Sequence, residues 1–477
     1  MRSILHWSPN LRGAADLGKR RLGATTILVV MFWLCNPVDA DTFRIIDSGK
    51  EAAQVRVDMI QQARSEIAIE LHRASDDGLV LSYLALLRDA VRRGIEVRFL
   101  IDGSFNEIPR SIQAHLVQEG VLIKEYHPVR LTKRGWITQR LHDKVILTDR
   151  TQMLIGGRNL EYPFFGVVRK SYVKRAYLDR DAYLQGVTAE VAHRYFMQLW
   201  NSAEVMDTRL GRYDQRYLAW DCSSSRDEDN YCADSKAEAL RGIERAAALL
   251  DRHRAELVSS GLVQLDSGTD WSVGQRDIDG IEFLHDPIGR KGKEPGTFQA
   301  LLEYMDTAKK SIVIESPYLI LSKNSKKILQ RAIDRGVKVR VLTNSLASTQ
   351  NFFAQGGYVG KKKRLVRMGL EVWEYKGPKM LHAKTILIDD KSVIIGNFNI
   401  DPRSEFLNTE LAVVARDEQL ARQLRSSMDG RLDNAWLIGP DGKAVGENRR
   451  FPKTQMSEVI KLRAYQLLLV PFIRDQL

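Results

Sequence analysis

The sequence predicts an α/β protein of two similar halves, each a mostly parallel or mixed sheet flanked by helices. Three observations carry that expectation. Helix and strand patterns alternate from Asp41 onward, the same order of elements occurs twice, and each occurrence ends in a strand bearing the same polar signature. The signature is H-x-K-x4-D: His142, Lys144 and Asp149 in the first half, His382, Lys384 and Asp389 in the second. Each is followed by G-x-x-N, at Gly156 and Asn159 and again at Gly396 and Asn399. All five positions recur at an offset of 240 residues without a gap. One H-x-K-x4-D alone carries little weight, but two copies on matched frameworks exclude coincidence.

In chain order, Gly49 to Arg64 reads as an amphipathic helix and Ile67 to Leu71 as a buried strand. Leu79 to Arg93 is helical and stops at Gly94, and Ile95 to Ile101 is the next strand. Strand, helix and strand at this spacing make a βαβ unit. A helix from Ile112 to Glu119 and a strand from Val121 to Tyr126 lead to the first motif. The second half repeats the order. A helix at Phe298 to Thr307 precedes a strand at Ser311 to Glu315, which matches Ile67 to Glu70. Lys326 to Arg335 is helical and stops at Gly336, Val337 to Thr343 is a strand, and Gly369 to Tyr375 matches Gly120 to Tyr126. A helix from Asp417 to Asp429 follows the second motif. Residues 41–208 and 295–477 are therefore read as two domains. Residues 209–294, polar and glycine-rich with one clear helix from Ser235 to Leu257, are read as a linker with a helical insertion.

Both ends carry signals of their own. Arg12, Lys19, Arg20 and Arg21 precede an apolar run from Ala24 to Leu34, and Val38-Asp-Ala40 offers small residues for cleavage. Residues 1–40 are thus read as a signal peptide or an uncleaved anchor, the run being short for a transmembrane span. The chain has a net charge of +12, and residues 1–40 hold only five basic against two acidic side chains. Most of the basicity therefore lies beyond the signal and points to an anionic partner, nucleic acid or an anionic membrane surface. Beyond the signal only Cys222 and Cys232 remain, and in an exported chain that pair is a disulfide candidate. The apolar tail from Met456 to Leu477, with Lys461, Arg463 and Arg474 around it, suits either a membrane interface or the C-terminal core.

The motif chemistry is that of a phosphodiester. Attack at phosphorus needs cations beside the oxygens on which charge builds, and Lys144 and Lys384 supply them, with Asn159 and Asn399 as hydrogen-bond donors. A neutral imidazole can attack and a protonated one can serve the leaving alkoxide, so His142 and His382 can divide these roles. On a strand, His382 and Lys384 share a face. The lysines already provide the positive charge, so no metal and no cofactor is expected. Asp149 and Asp389 are assigned to local structure at strand ends. The other histidines, His72, His115, His127, His193, His253 and His285, are read as surface or core-edge residues. The basic runs Lys133-Arg134 and Lys361 to Arg364, beside Trp136 and Tyr358, are solvated faces or headgroup contacts.

These residues resemble the phospholipase D superfamily, whose two H-x-K-x4-D motifs meet between fused phospholipase D-like α/β domains in a pseudo-twofold active site. Thr343 to Thr349, Leu381 to Lys384, Gly396 to Ser404 and Leu407 to Glu410 look like the bacterial cardiolipin synthases of the C type. The first half adds Gly156-Gly-Arg-Asn159 and Leu199-Trp-Asn-Ser202. The resemblance implies His142 as nucleophile and His382 as general acid, a symmetry that the residues alone leave unbroken. It also implies a carboxylate partner for each histidine: Glu410 for His382 and Asp181 for His142, with Asp179 as the nearby rival. The implied activity is phosphatidyl transfer to phosphatidylglycerol through a phosphohistidine, with phosphatidylethanolamine as a further phospholipid partner. The setting implied is the periplasmic side of the bacterial inner membrane. Phospholipid hydrolysis, nucleic-acid cleavage and a non-catalytic membrane scaffold are the alternatives. Small nucleases of the superfamily usually carry one motif per chain and dimerise. Two motifs on one chain therefore make nucleic acid an unexpected partner and are compatible with a monomer.

Overall fold

The computed structural model describes residues 41–446 except 130–135, 137, 168–174, 221, 223–230, 290–293 and 295. The proposed signal, the apolar tail and the Lys133-Arg134 run lie outside the described residues.

Two mixed sheets form the frame. The nine-stranded sheet runs, edge to edge, Val205–Asp207, Leu122–Tyr126, Glu96–Asp102, Glu66–Leu71, Val145–Thr148, Gln152–Gly156, Asp181–Gln185, Asp41–Ile46 and Arg276–Ile278. The eight-stranded sheet follows the same plan: Glu282–His285, Leu411–Arg416, Ser392–Gly396, Thr385–Ile388, Ser311–Glu315, Lys338–Asn344, Glu371–Tyr375 and Ala435–Leu437. In each, only the three strands joined through helices run parallel. The other pairings are antiparallel, so the sheets are mixed and not mostly parallel. The cause is local. The strand after each His–Lys pair turns back on itself at once, with Asp149 and Asp389 in left-handed conformation (φ 51° and 54°), and a short turn can join only antiparallel strands.

Both faces of each sheet are buried, which explains the unbroken apolar runs. Along Gln152–Gly156, Leu154 joins the outer core under Gly49–Gln62 and Gly78–Arg92, while Met153 and Ile155 face the second sheet. Along Ser392–Gly396, Ile394 faces the outer helices and Val393 and Ile395 face inward. The inward side chains of both sheets, together with the helices Val187–Trp200 and Glu418–Leu432, make one shared core. Burying Leu147, Ile155, Leu387, Ile395 and Val413 there, at about 1.5–3 kcal/mol for each side chain, holds the halves together.

The segment 209–294 is more than a connector. Its helix Tyr231–Ser259 lays Ala246, Leu250 and Leu257 into the first outer core, and Leu262, Val263 and Trp271 follow them in. It then gives one edge strand to each sheet. Cys222 and Cys232 are joined, with Cα atoms 5.7 Å apart.

Candidate active site

Each motif histidine is reached through a backbone clamp. Asp102, at the end of its strand, accepts from the Leu141 N–H at 2.7 Å. Asn344, at the matching strand end, accepts from Leu381 N–H at 2.9 Å and donates to the Leu381 carbonyl at 2.8 Å. The next residue is His142 in one half and His382 in the other. The motif aspartates hold the far end. Asp149 accepts from the backbone N–H groups of Arg64, Ser65 and Glu66, and Asp389 from those of Lys309, Lys310 and Ser311. They fasten strand ends, as expected from their position.

The glycines of G-x-x-N are there for close approach. A side chain on Gly396 would meet the Leu411 carbonyl oxygen at 2.2 Å, and one on Gly156 the Arg180 carbonyl oxygen at 2.5 Å. The strands that follow the site carboxylates pass directly over them.

Two short parallel ladders stitch the halves together at the site. Met380–Leu381 pairs with Tyr177–Leu178, and Asn408–Thr409 pairs with Arg140–Leu141. Each ladder is followed by a histidine on one strand and a carboxylate on the other. The result is an exchange between halves. Nδ1 of His142 lies 2.8 Å from Glu410 Oε2, and Nδ1 of His382 lies 2.6 Å from Asp179 Oδ2.

This corrects the expected partners. Glu410 serves His142, not His382. Asp181 serves neither histidine, because its carboxylate is held by Arg56 at 2.8 Å and Arg158 at 2.9 Å. Asp179 occupies the position equivalent to Glu410, since Gly157 N–H donates to Arg180 O as Asn397 N–H donates to Leu411 O. Asp181 lies two residues beyond that position, since the loop after Asn159 is longer than the one after Asn399. A slip of two keeps the side chain on the same face of a strand, so alternation could not expose it.

A carboxylate accepts from Nδ1–H, which leaves Nε2 of each ring with its lone pair. Lys144 and Lys384 lie on the same side as their histidines, each donating to the histidine's own carbonyl, at 2.7 and 2.5 Å. Lys384 Nζ also lies 2.7 Å from His382 Nδ1, beside the Asp179 contact, and 3.1 Å from Nε2. Asn159 and Asn399 are buried, and Oδ1 of each amide has no partner among the described residues.

Burial and like charge set the protonation states. Burial, then Lys144, holds His142 well below its ordinary value. His382 is brought down to about 4 by burial and then Lys384, against the opposing pull of Asp179. Lys144 falls to about 7, through burial and then Lys384, and Lys384 falls to about 8 through burial. Asp179 would be raised by burial, but His382, Lys384 and Arg158 hold it well below the carboxylate range. Burial pushes Glu410 well above it, although Lys144 and the hydroxyl of Ser404, 2.6 Å away, pull down.

The pseudo-twofold is broken beneath the histidines. In the first half, Glu70 lies buried beside Asp143; burial and then Asp143 raise it, and Asp143 is raised to about 6 by burial. In the second half, Ala383 replaces Asp143, and the equivalent Glu315 is ionically paired. Arg180 donates to Glu315 at 2.5 Å and to Asp47 at 2.9 Å, and Arg431 bonds the same two carboxylates. The surroundings of the rings differ too. His382 stacks on Tyr177 (5.4 Å between centroids) with Phe164 edge-on, whereas His142 meets the ring of His72 at 4.9 Å.

His72 is therefore part of the site and not a surface or core-edge residue. Its sequence signal was position, at the end of the strand that carries Glu70. Trp136 and Tyr358 also depart from expectation. Trp136 is buried and stacks on His127 at 4.5 Å, and Tyr358 is buried with its hydroxyl on Glu374, so neither ring is placed for headgroups. Among the described residues no group of three or more His, Cys, Asp or Glu is arranged to hold a metal ion.

Paired His–Lys motifs joined across fused α/β halves define an enzyme of the phospholipase D superfamily. The family described as "Cardiolipin synthase, PLD-like domain" matches residues 57–170 and 301–432, and the chain belongs to it. Cardiolipin synthase C of Escherichia coli K12 is 27% identical over 436 residues, covering 83% of this chain and 86% of that one. An uncharacterized protein of Helicobacter pylori is 25% identical over 421 residues, covering 83% and 80%. Among solved structures, phosphatidylserine synthase of Haemophilus influenzae shares the fold with a TM-score of 0.61, at 14% identity, over 93% of this chain and 98% of that one.

Proposed function

We propose that this enzyme is a phosphatidyltransferase that makes cardiolipin by moving a phosphatidyl group onto phosphatidylglycerol. The observation that carries the reading is the exchanged His–carboxylate pairs. Each imidazole is keyed through Nδ1 by a buried carboxylate from the other half, which leaves two Nε2 atoms and two lysines for one phosphodiester. Membership of the family and the extent of similarity to the Escherichia coli synthase support the substrate class.

In the first step Nε2 of His142 attacks phosphorus, and the bond from phosphorus to the leaving alcohol oxygen breaks. His382 gives that oxygen a proton. The incoming phosphodiester's negative charge offsets the like charge of the lysines, raising His382 toward the protonated form that the step needs. In the second step the acceptor hydroxyl of phosphatidylglycerol returns a proton to His382 as it attacks, and the phosphorus–nitrogen bond breaks. The lysines and both asparagine amides hold the non-bridging oxygens throughout. The amphiphilic substrates call for a membrane surface, and the joined Cys222–Cys232 pair supports an exported enzyme acting there.

Purified full-length protein given acyl-labelled phosphatidylglycerol in vesicles should yield labelled cardiolipin. Phosphatidic acid as the sole product would replace transfer with hydrolysis. Rapidly quenched wild-type protein should carry phosphatidyl label on histidine, and His142→Ala should not. Label retained in that variant would reverse the roles of the two histidines.

A further inference from the structure

His72 is an additional imidazole in the site that the two-step chemistry above leaves unused. It stands at the end of Glu66–Leu71, its ring centroid 4.9 Å from that of His142 and 4.5 Å from that of Phe105. Its Nδ1 lies 2.7 Å from the carbonyl oxygen of Leu141, the residue before His142. A carbonyl oxygen can only accept, so Nδ1 must carry the hydrogen and Nε2 must carry the lone pair. Burial and the neighbouring Lys144 hold the ring neutral. His72 therefore offers an acceptor beyond the Nε2 atoms of His142 and His382, which the two-step chemistry uses. An acceptor there cannot bind a phosphate oxygen, and it has no use for the leaving group's departing electron pair. What it fits is a hydroxyl hydrogen.

We infer that His72 is a specificity-determining residue that accepts a hydrogen bond from the second, non-attacking hydroxyl of a vicinal-diol acceptor, so that the site prefers a glycerol headgroup to a simple alcohol. The inference rests on the proposed transfer reaction and names the feature of the acceptor that the site reads. Among the described residues the second half has no imidazole at this place: beside His382 stand Tyr177 and Phe164. The preference is thus built on one side of the pseudo-twofold only. A site that binds a hydroxyl through a placed acceptor disfavours the analogue lacking it, because that acceptor is left unpaired.

The test is a competition on the full chain. Acyl-labelled phosphatidylglycerol in detergent micelles serves as donor, with equimolar deuterated glycerol and 1-propanol as acceptors, and mass spectrometry reads the ratio of deuterated phosphatidylglycerol to phosphatidylpropanol. In wild type the diol product should dominate. In His72→Phe, which keeps a ring against Phe105 and His142, the ratio should fall about tenfold, the worth of one hydrogen bond, while transfer to propanol persists. His72→Gln, whose amide oxygen can accept, should recover part of the preference. An unchanged ratio in His72→Phe, or both products lost together in His72→Phe and His72→Gln alike, would overturn the inference. Wild type that yields phosphatidic acid and neither ester would overturn the transfer reading itself, and the inference with it.

Discussion

Asp179 lies 203 residues from His382 in sequence and 2.6 Å from its Nδ1 in space. It sits in the first half and serves the second, as Glu410 in the second serves His142 in the first. Neither half therefore holds a complete histidine–carboxylate pair. The consequence is that the site cannot be assembled unless the halves are docked.

Asp179→Asn tests that dependence. The amide keeps the shape but cannot stabilise a cationic His382 or fix its Nδ1 hydrogen, so kcat should fall by about 10²- to 10⁴-fold. Folding, followed by circular dichroism, should survive. Asp181→Asn should behave oppositely: it leaves Arg56 and Arg158 short of a buried partner and should cost stability, on the order of 3 kcal/mol. Equal kcat losses with no stability difference between the two variants would contradict the assignment.

Docking itself should depend on Arg180. It is fully buried, comes from the first half, and bonds Glu315, Thr385 and Ser427 of the second. Arg180→Met strands the Glu315 carboxylate with Arg431 alone and should destabilise by about 3–5 kcal/mol in chemical denaturation. A loss below 1 kcal/mol would show that the apolar core alone holds the interface.

The lysines predict a pH dependence of anion binding. Lys144 and Lys384 are lowered to about 7 and about 8 because each is buried and Lys144 also faces Lys384. An anion binds the protonated forms, so above those values binding must take up protons. The inhibition constant of dimethyl phosphate, a monoanion throughout, should rise steadily from pH 7 to 9, approaching about tenfold per unit for each deprotonated lysine. A flat profile would mean that both lysines stay charged in the free enzyme.

The buried histidines predict a different window for stability. His382 is down to about 4 in the folded chain, so between its ordinary value of 6.5 and 4 the unfolded chain binds a proton that the folded one does not. Its contribution is complete above 6.5 and lost as pH falls toward 4, on the order of 3 kcal/mol. His142 and His72 are shifted in the same direction and deepen the loss. Asp179, held well below its ordinary 3.8, acts only at lower pH, where its stabilising charge is lost as it protonates. Glu70, Asp143 and Glu410, raised by burial, take up protons in the folded chain over the same range and oppose this loss, so the test is the difference: between pH 7 and 4 the melting temperature of wild type should fall relative to that of His382→Gln. Identical slopes would remove His382 as a source.

Much of this molecule was legible in one dimension. The strands and helices around Ile67, Phe99, Ile312 and Val341 announced themselves through apolar periodicity and glycine stops, since those signals are local. The duplication lay in the fixed 240-residue offset, and the motif aspartates read as strand-end residues because each closes a short apolar run, although the backbone they bind lies 84 and 79 residues earlier.

By itself the sequence determined two α/β halves, two His–Lys pairs and the chemistry they share. Tertiary structure decided which carboxylate meets which histidine. That choice depends on two ladders of two residues each, Met380–Leu381 with Tyr177–Leu178 and Asn408–Thr409 with Arg140–Leu141, whose partners lie more than 200 residues apart. It likewise decided that His72 stands against His142, since ring contact across the site leaves no periodic trace. Spacing along the chain records what neighbours do. The pairing of distant edges is set by how two packed sheets come to rest on a common core.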